Sequence, residues 1–482
     1  MNYRMLGYLL GIILLIEAAL MILPAAVAVF FGESVLPFLI TVAIIAAISV
    51  PLVLFKPKNM SIYAREGFVC VAAAWILMSA FGALPFVFSG SIPNYIDAFF
   101  ETVSGFTTTG ASILAEVESL PKGILFWRSF THWVGGMGVL VFMLAILPSD
   151  NARSMHLLRA EVPGPTKDKL VPKMRQSALI LYGIYVILTL IQVIALLCTG
   201  MELYDSLVNS FATAGTGGFS VKNASIGAYN NPAAEWIIGI FMLVFGINFN
   251  IYFLLLLKKF STVFKNEELR LYLIVCACAT AIISVNTISA ISEPEVADGI
   301  RNAFFQVTTI ISTTGFATTD YSLWPSLSQT VLVLLMITGA CAGSTAGGMK
   351  LSRILIAVKG IFRNIKKMVR PKSVNIVRLD GETVQDQTIN SAFSYVSIYF
   401  AALIVCVLLI SVDGFGFETN VTATLSCLSN IGPGMGPVVG PTGNFAHFSY
   451  FSKSILSLIM LIGRLEFMPM LIIFSPNTWK KS

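Results

Sequence analysis

The sequence predicts an all-α polytopic membrane protein with about ten transmembrane helices. We expect a two-helix hairpin at the N-terminus, followed by four tandem repeats that each consist of a helix, a half-helix and a second helix. Three observations support this prediction: a low content of charged residues, a series of long charge-free segments, and a short Thr/Gly-rich pattern that occurs four times.

Charge is scarce, and its distribution defines the spans. The chain has 482 residues, of which 56% are hydrophobic and 12% charged, whereas about 25% of the residues in a soluble domain are charged. Segments without Asp, Glu, Lys or Arg are 67–94, 129–149, 176–201, 236–257, 271–292, 325–349 and 388–412. Each is long enough to cross about 30 Å of hydrocarbon. Apolar segments near 5–31, 35–55 and 450–475 complete about ten spans.

Basic residues indicate the orientation of these spans. They concentrate in alternate loops and at the C-terminus, at 56–65, 153–175, 258–270, 350–378 and 480–481. The positive-inside rule places these segments, and therefore both termini, in the cytoplasm. The first apolar segment is too long for a cleaved signal peptide, and a second span follows it directly. The net charge of +6 is thus a topology signal, and we expect no nucleic-acid partner.

The composition also argues against an enzyme. The seven cysteines lie almost entirely in apolar segments, and the three histidines are scattered, so neither predicts a metal site or a disulfide framework. No paired Asp, Ser–His pair or Ser–Lys pair is evident at membrane depth. We therefore expect no catalytic residue and no metal other than a transported ion.

A fourteen-residue pattern that ends in glycine occurs four times. The copies are DAFFETVSGFTTTG (97–110), DSLVNSFATAGTGG (205–218), NAFFQVTTIISTTG (302–315) and TNVTATLSCLSNIG (419–432). Each begins with a residue type that caps helix N-termini, namely Asp97, Asp205, Asn302 and Thr419. Four copies in register, with long apolar segments on both sides, indicate a fourfold internal repeat.

Each copy predicts a re-entrant loop. About nine helical residues span roughly 14 Å, which is half a bilayer, and the charge pattern places every copy on the extracellular side. Non-helical backbone survives at membrane depth only where protein buries it or where it lines a watery path. Glycine permits the positive φ that aims neighbouring carbonyls inward, so four such loops could surround a dehydrated monovalent cation with carbonyl oxygens. Close helix packing through small residues is the competing interpretation.

With these loops in place, the chain resembles the Trk/Ktr/HKT superfamily of potassium transporters, specifically the TrkH-type membrane subunits, over essentially its whole length. The matching segments are "SGFTTTGAS" (104–112), "GTGGFS" (215–220), "STTGF" (312–316) and "NIGPG" (430–434). The resemblance implies potassium-channel-like repeats around a central pore, through which potassium is taken up, with no covalent cofactor. It implies that potassium binds a selectivity filter formed by Thr108, Thr109, Gly110, Thr216, Gly217, Gly218, Thr313, Thr314, Gly315, Asn430, Ile431 and Gly432.

The four filter loops are not identical. In the family, glycine in all four loops accompanies a preference for potassium, and all four are present here. The second and fourth loops depart from the Thr-Thr-Gly pattern of the other two. A less symmetric ring should discriminate less sharply between potassium and sodium. The alternative function is therefore a sodium-coupled symporter or a poorly selective potassium/sodium transporter.

A second motif, GACAGSTAGGMK (339–350), interrupts the span after the third filter loop. Its glycines should break the helix, because each costs about 1 kcal/mol relative to alanine. The near match to a nucleotide-binding P-loop fails, since Met349 separates glycine from lysine and no strand precedes the motif. The resemblance implies that this segment is the gate, with residues Gly343, Ser344, Thr345, Ala346, Gly347, Gly348 and Lys350.

The last span contains Arg464. A charge in a span is costly and usually faces a partner or a watery path. It either joins helices or provides a positive charge below the filter that holds the gate, and the resemblance favours the gate role. Glu466 lies two residues further on and faces elsewhere on a helix, so its role stays open. Glu17 is interpreted as a helix contact. The glycines of "HWVGGMG" (132–138) are interpreted as close packing against the half-helices.

An alternating-access carrier is a further alternative, but it predicts inverted repeats, whereas these repeats are parallel. The resemblance implies a bacterial cytoplasmic (inner) membrane location, a homodimer, and a cytosolic nucleotide-binding regulatory subunit of the TrkA/RCK type. The basic segments 150–175 and 359–386 could bind such a partner. Positive-inside topology with contact to anionic membrane lipid explains them equally well.

The repeats define the domain boundaries. We expect the hairpin at 1–60 and the four pore repeats at 61–152, 153–262, 263–372 and 373–482, with the gate loop 339–350 inside the third repeat.

Overall fold

The computed structural model describes residues 2–57, 64–138, 174–291, 296–373 and 375–479. This part of the chain is almost entirely helical, as expected, and its only strands form one short hairpin.

The N-terminal hairpin forms as predicted. Its helices are α1 (Tyr3–Leu20), α2 (Ile22–Phe30) and α3 (Leu36–Leu54). The turn between α2 and α3 contains Gly32 at φ +70°. α1 packs closely on α3 because Gly11 has no side chain. A Cβ added there would lie 3.0 Å from atoms of Leu52 and Val53.

The first two repeats follow the predicted order of helix, half-helix and helix. In the first repeat the helices are α4 (Ala64–Gly82), α5 (Leu84–Phe88), α6 (Tyr95–Phe106) and α7 (Lys122–Gly136). In the second they are α8 (Met174–Cys198), α9 (Leu203–Gly215), a 3₁₀ turn (Ser225–Tyr229), α10 (Pro232–Phe245), α11 (Phe249–Leu256) and α12 (Phe260–Lys265).

The third and fourth repeats have the same order with additional short elements. The third contains α13 (Glu267–Ile291), α14 (Val296–Ile311), a 3₁₀ turn (Tyr321–Leu323), α15 (Ser326–Thr338) and α16 (Leu351–Val369), and β1 (Arg378–Leu379) and β2 (Glu382–Thr383) follow after the expected boundary at 372/373. The fourth contains α17 (Asp386–Ile410), a 3₁₀ turn (Ser411–Asp413), α18 (Phe417–Ser429), α19 (Gly436–Val439), α20 (Tyr450–Leu465), α21 (Met468–Phe474) and α22 (Pro476–Trp479).

The small hairpin docks on the third repeat. β1 and β2 pair antiparallel around Asp380 and Gly381, which both have positive φ, as a two-residue hairpin turn requires. The Asp380 carboxylate accepts the Glu267 N–H at 2.7 Å and so contacts the start of α13.

Six described helical segments are long and apolar enough to span a membrane, and α10 with α11 forms a seventh that is bent by 89°. The remaining three predicted spans, which follow the first, third and fourth pore loops, contain the shorter helices α7, α15 and α20. The long helices surround the half-helices. Only 17% of the apolar window of Asp386–Asp413 is buried, so the rest of the described chain leaves most of the surface of this span uncovered.

The half-helices, called pore helices 1 to 4 below (α6, α9, α14 and α18), are longer than the nine residues expected. They have 12, 13, 16 and 13 residues. The predicted N-caps Asp97, Asp205, Asn302 and Thr419 are therefore wrong, because all four lie inside the helices. Pore helix 1 is capped by Asn94, whose side chain accepts the Ile96 N–H at 2.8 Å. An acidic first turn suits the positive end of a helix dipole, which explains why Asp97 and Asp205 lie there.

Some predicted boundaries and segments lie outside the described residues. These are the boundaries at 60/61 and 152/153 and nearly all of the basic loop 150–175. The boundary at 262/263 falls within the short helix α12.

Candidate ion pathway

Each pore helix ends in a residue with left-handed backbone, at the same position in all four repeats. The φ angles of Thr108, Thr216, Thr313 and Asn430 are 56°, 56°, 55° and 56°. None of these residues is glycine, and an L-residue in this conformation costs about 1–2 kcal/mol. Strain of this kind persists only where the surrounding structure imposes it, and it concentrates at functional sites.

Hydrogen bonds impose this turn identically in the four repeats. The residue after the left-handed one donates its N–H to a carbonyl five positions earlier, which is the closing bond of a Schellman motif. The four bonds are Thr109 to Ser104 (2.8 Å), Gly217 to Ala212 (2.8 Å), Thr314 to Thr309 (2.8 Å) and Ile431 to Ser426 (2.9 Å). The chain therefore leaves every pore helix in the same direction.

The four predicted filter glycines follow this turn and have positive φ: 80° at Gly110, 78° at Gly218, 87° at Gly315 and 103° at Gly432. Each also contacts the neighbouring loop so closely that no side chain fits. A Cβ added at Gly110 would lie 2.0 Å from the Gly217 oxygen, and one added at Gly218 would lie 2.1 Å from the Thr314 oxygen. A Cβ added at Gly315 would lie 2.0 Å from the Ile431 oxygen, and one added at Gly432 would lie 2.7 Å from the Thr109 oxygen.

These contacts run from loop 1 to 2, 2 to 3, 3 to 4 and back to 1. The predicted filter residues are thus brought together in one closed ring of backbone. The carbonyls at the contacts belong to the residue that precedes the glycine in each repeat, and this equivalence holds even where the side chain differs, as in Gly217 and Ile431.

Side chains around the ring hold the loops to their pore helices. The Thr109 hydroxyl lies 2.7 Å from that of Thr107, and the Thr314 hydroxyl lies 2.7 Å from that of Ser312. The Asn430 amide donates to the Thr109 hydroxyl at 2.9 Å and so joins repeats 4 and 1. Among the described residues, the buried Thr108 hydroxyl has no hydrogen-bond partner.

A buried ion pair supports loops 1 and 2, and the sequence reasoning did not find it. Arg128 Nε lies 2.7 Å from Glu101, and both side chains are at most 5% exposed. Glu101 also accepts the Ser112 hydroxyl and the Ile113 N–H, each at 2.9 Å. Arg128 donates to the Ser220 carbonyl at 3.0 Å. Charged residues are rare in this chain, so two opposite charges near the loops could have indicated an ion pair. Their separation in sequence concealed the contact.

His132 joins the same two loops, although its motif was interpreted as packing alone. Its Nδ1 lies 2.8 Å from the Gly105 carbonyl, and its Nε2 accepts the Phe219 N–H at 3.3 Å. Because Nε2 accepts, the proton is assigned to Nδ1, which donates to Gly105. The packing prediction for the adjacent glycines is confirmed: a Cβ on Gly135 would lie 1.9 Å from the Phe106 oxygen.

The Gly-rich segment 339–350 interrupts its span as predicted. Helix α15 ends at Thr338 and α16 begins at Leu351, with Gly339, Gly343 and Gly348 at positive φ between them. Nearly all of the segment is buried, so this non-helical backbone is enclosed by protein, as its depth requires. It follows a helix, which differs from the strand that precedes a P-loop.

This segment contacts the filter loops directly. The Gly347 N–H donates to the Thr313 hydroxyl at 2.6 Å, and a Cβ on Gly347 would lie 2.2 Å from the Ser429 oxygen. Lys350 is buried at 1% exposure and donates to the Ala346 carbonyl within the segment. The Ser344 hydroxyl donates to the Cys341 carbonyl at 2.6 Å.

Arg464 lies against the Gly-rich segment. Its guanidinium donates to the Thr345 carbonyl at 2.7 Å and to the Gly135 and Gly136 carbonyls at 2.5 and 2.8 Å. It therefore bridges the segment to the end of α7, and the structure brings it together with the residues that the sequence grouped with it.

Glu466, whose role the sequence left open, pairs with Arg353. One bond measures 2.8 Å, and a second carboxylate oxygen completes a bidentate contact. Arg353 also stacks over the Tyr395 ring at 4.0 Å. The pair joins the end of α20 to α16, the helix that follows the Gly-rich segment.

Comparison with known proteins shows the family of the chain. Residues 37–481 match the model of the TrkH family, described as cation transport protein. The chain is 36% identical to the Trk system potassium uptake protein TrkH of Escherichia coli K12 and 32% identical to that of Halomonas elongata, each over all of both chains. It is also similar to the crystal structure of the potassium transporter TrkH from Vibrio parahaemolyticus, with a TM-score of 0.88, 30% identity and full coverage of both chains.

Proposed function

Because the chain belongs to the TrkH family of cation transport proteins, we propose that it takes up potassium across a bacterial cytoplasmic membrane through the ring of four filter loops. The observation that carries this proposal is the closed ring itself. Four glycines with positive φ each lie against a carbonyl of the next loop, and we infer that the loops enclose a passage lined by backbone oxygens.

Potassium suits such a ring because carbonyl oxygens can replace its hydration shell. The twelve predicted filter residues provide three consecutive carbonyls from each repeat. The hydrogen bonds of Glu101, Arg128 and His132 hold loops 1 and 2 from outside the ring. A fixed filter favours the ion whose size matches it, so these three residues support selectivity without contacting the ion.

A poorly selective or sodium-coupled transporter is the second candidate, and the asymmetry of the ring favours it. Gly432 has a φ of 103°, against 78° to 87° at the other three positions, and a Cβ added to it would lie 2.7 Å from the next loop, against about 2 Å at the other three. The fourth loop therefore has the loosest fit in the ring. Sodium inhibition of rubidium uptake would measure how much this matters.

We further propose that segment 339–350 is the gate and that Arg464 holds it closed. Gly347 lies against Thr313 and Ser429 at the ends of pore helices 3 and 4. A permeating cation that leaves the filter meets this loop and the buried charges of Arg464 and Lys350. Opening requires the loop to move aside, which its glycines permit.

We further propose a cytosolic partner for the exposed surface next to the gate. Names of the relatives refer to a Trk system, which is compatible with a cytosolic nucleotide-binding subunit that moves the gate. α16 leads directly from the gate and exposes Phe362, Ile365 and Met368 beside Lys366 and Lys367. This face can contact such a subunit, a second copy of the chain, or anionic lipid.

Uptake of radioactive rubidium by liposomes that contain only the purified chain tests the filter. We expect Gly315→Ala to abolish uptake, because its Cβ would lie 2.0 Å from the Ile431 oxygen. Gly200→Ala is the matched control, since Gly200 has the same φ of 87° but has no atom within 4 Å of the added Cβ. Equal uptake by the two variants would contradict the filter proposal.

A further inference from the structure

A buried carboxylate outside the predicted site contacts both ends of the gate loop. Glu268 lies in the first turn of α13 and is 6% exposed. Its Oε1 accepts the Ala342 N–H at 2.7 Å and the Ser352 N–H at 3.0 Å. Ala342 lies near the start of segment 339–350, and Ser352 lies just after its end, so one oxygen atom joins the two ends.

The two bonds satisfy backbone groups that the broken helix leaves open. Ser352 is in the first turn of α16, where N–H groups have no partner within the helix. Ala342 lies in non-helical backbone. A carboxylate that accepts from a helix N-terminus is favoured by charge and by hydrogen bonding together. Glu268 therefore replaces the hydrogen bonds that a continuous helix would have made.

Neighbouring contacts hold the first end of the loop to repeat 2. The Cys341 N–H donates to the Gly246 carbonyl at 3.1 Å, and the Phe249 N–H donates to the Gly343 carbonyl at 3.0 Å. Gly246 and Phe249 lie on either side of the 89° bend between α10 and α11. The middle of the loop, at Thr345 and Gly347, contacts Arg464 and the predicted filter residue Thr313.

We propose that Glu268 is a positioning residue that holds the two ends of the gate loop together and so keeps its middle against the filter. This inference rests on the proposed gate. Without the carboxylate the ends separate, the contacts of Gly347 with Thr313 and Ser429 are lost more often, and ions pass when the gate should be closed.

The test compares Glu268→Ala with Glu268→Gln in rubidium uptake by liposomes containing the purified chain alone. Alanine removes both hydrogen bonds, whereas glutamine keeps an acceptor oxygen and removes the charge. We expect alanine to raise basal uptake by at least about tenfold, because it removes two charge-assisted hydrogen bonds, and glutamine to restore most of the closed behaviour. Glu267→Ala is the matched control, because the neighbouring Glu267 pairs with Lys359 outside the gate loop.

A second measurement follows the exposure of the gate loop. Cys341 is fully buried in the gate loop, and the other six cysteines can be replaced by alanine. We expect Glu268→Ala to speed labelling of Cys341 by a maleimide, with unchanged sodium inhibition of the remaining uptake. If basal uptake and labelling rate in Glu268→Ala both equal those of the control while the protein stays folded, the inference is overturned.

The two proposals can fail separately. The added uptake of Glu268→Ala should disappear when it is combined with Gly315→Ala, which shows that the ions pass through the filter. If Gly315→Ala alone leaves uptake unchanged, the filter proposal fails whatever Glu268 does. If Gly315→Ala blocks uptake but Glu268→Ala behaves as the control, only the inference about Glu268 fails.

Discussion

The backbone N–H of Gly347 donates to the side-chain hydroxyl of Thr313 at 2.6 Å, and both residues are buried. Thr313 is the left-handed residue that ends pore helix 3, and Gly347 belongs to the Gly-rich loop of the same repeat. The proposed filter loop and the proposed gate loop therefore share a direct hydrogen bond. A movement of either loop must break it.

Removal of this bond should weaken the closed gate. Thr313→Val keeps the shape and the backbone carbonyl of Thr313 but removes the acceptor, leaving the Gly347 N–H without a partner. An unsatisfied buried group costs about 1–3 kcal/mol, so we expect basal rubidium uptake to rise about tenfold. Thr313→Ser keeps the hydroxyl and is the control. Equal uptake by the two variants would show that the bond does not hold the gate.

The sequence was sufficient to predict the spans and the positions of the four loop glycines, because these depend on local composition and on the repeated pattern. Long charge-free segments predicted the membrane helices, and the fourfold pattern placed Gly110, Gly218, Gly315 and Gly432, which have the expected positive φ. The break at 339–350 followed from the low helix propensity of glycine. These features require no knowledge of which segments touch.

The contacts that hold the ring and the gate loop could not be predicted in this way. Glu101 and Arg128 are 27 residues apart, and Glu268 is 74 residues from Ala342, so no helical or strand period connects them. The left-handed threonines were missed for another reason: threonine rarely adopts positive φ, and only the packed ends of the pore helices impose it. The N-caps were misplaced because Asp in a first turn resembles Asp at the cap position.

Substitution of Arg464 can separate the effect of its positive charge from the effect of its hydrogen bonds. Lysine preserves the positive charge but cannot donate to three carbonyls from a planar guanidinium. Because Arg464 bridges Thr345 to Gly135 and Gly136, we expect Arg464→Lys to raise basal rubidium uptake nearly as much as Arg464→Gln. Arg363→Lys, at a surface pair with Asp386, should have no effect. If Arg464→Lys behaves as the unmodified chain, the charge alone opposes cation passage.

The ion pair between Glu101 and Arg128 should couple stability to selectivity. Glu101→Gln leaves a buried guanidinium without its counterion, and breaking such a pair costs about 3–5 kcal/mol. Glutamine keeps only one acceptor oxygen, so it cannot accept from both Arg128 and the Ile113 N–H, as the two carboxylate oxygens of Glu101 do. We therefore expect a lower unfolding temperature and stronger inhibition of rubidium uptake by sodium. Replacement of both residues, as Glu101→Leu with Arg128→Met, should destabilise less than the two single changes together, since no charge remains buried alone.

The exposed pair of Lys222 with Glu118 provides the comparison, because it joins the segments after the same two filter loops at 3.3 Å but lies in solvent. Exposed pairs contribute little to stability, so Glu118→Gln should leave both the unfolding temperature and sodium inhibition unchanged. If Glu101→Gln lowers the unfolding temperature yet preserves the preference for rubidium over sodium, the buried pair stabilises the fold without fixing the filter. Loss of both properties in Glu101→Gln, with neither lost in Glu118→Gln, would assign the filter geometry to the buried pair.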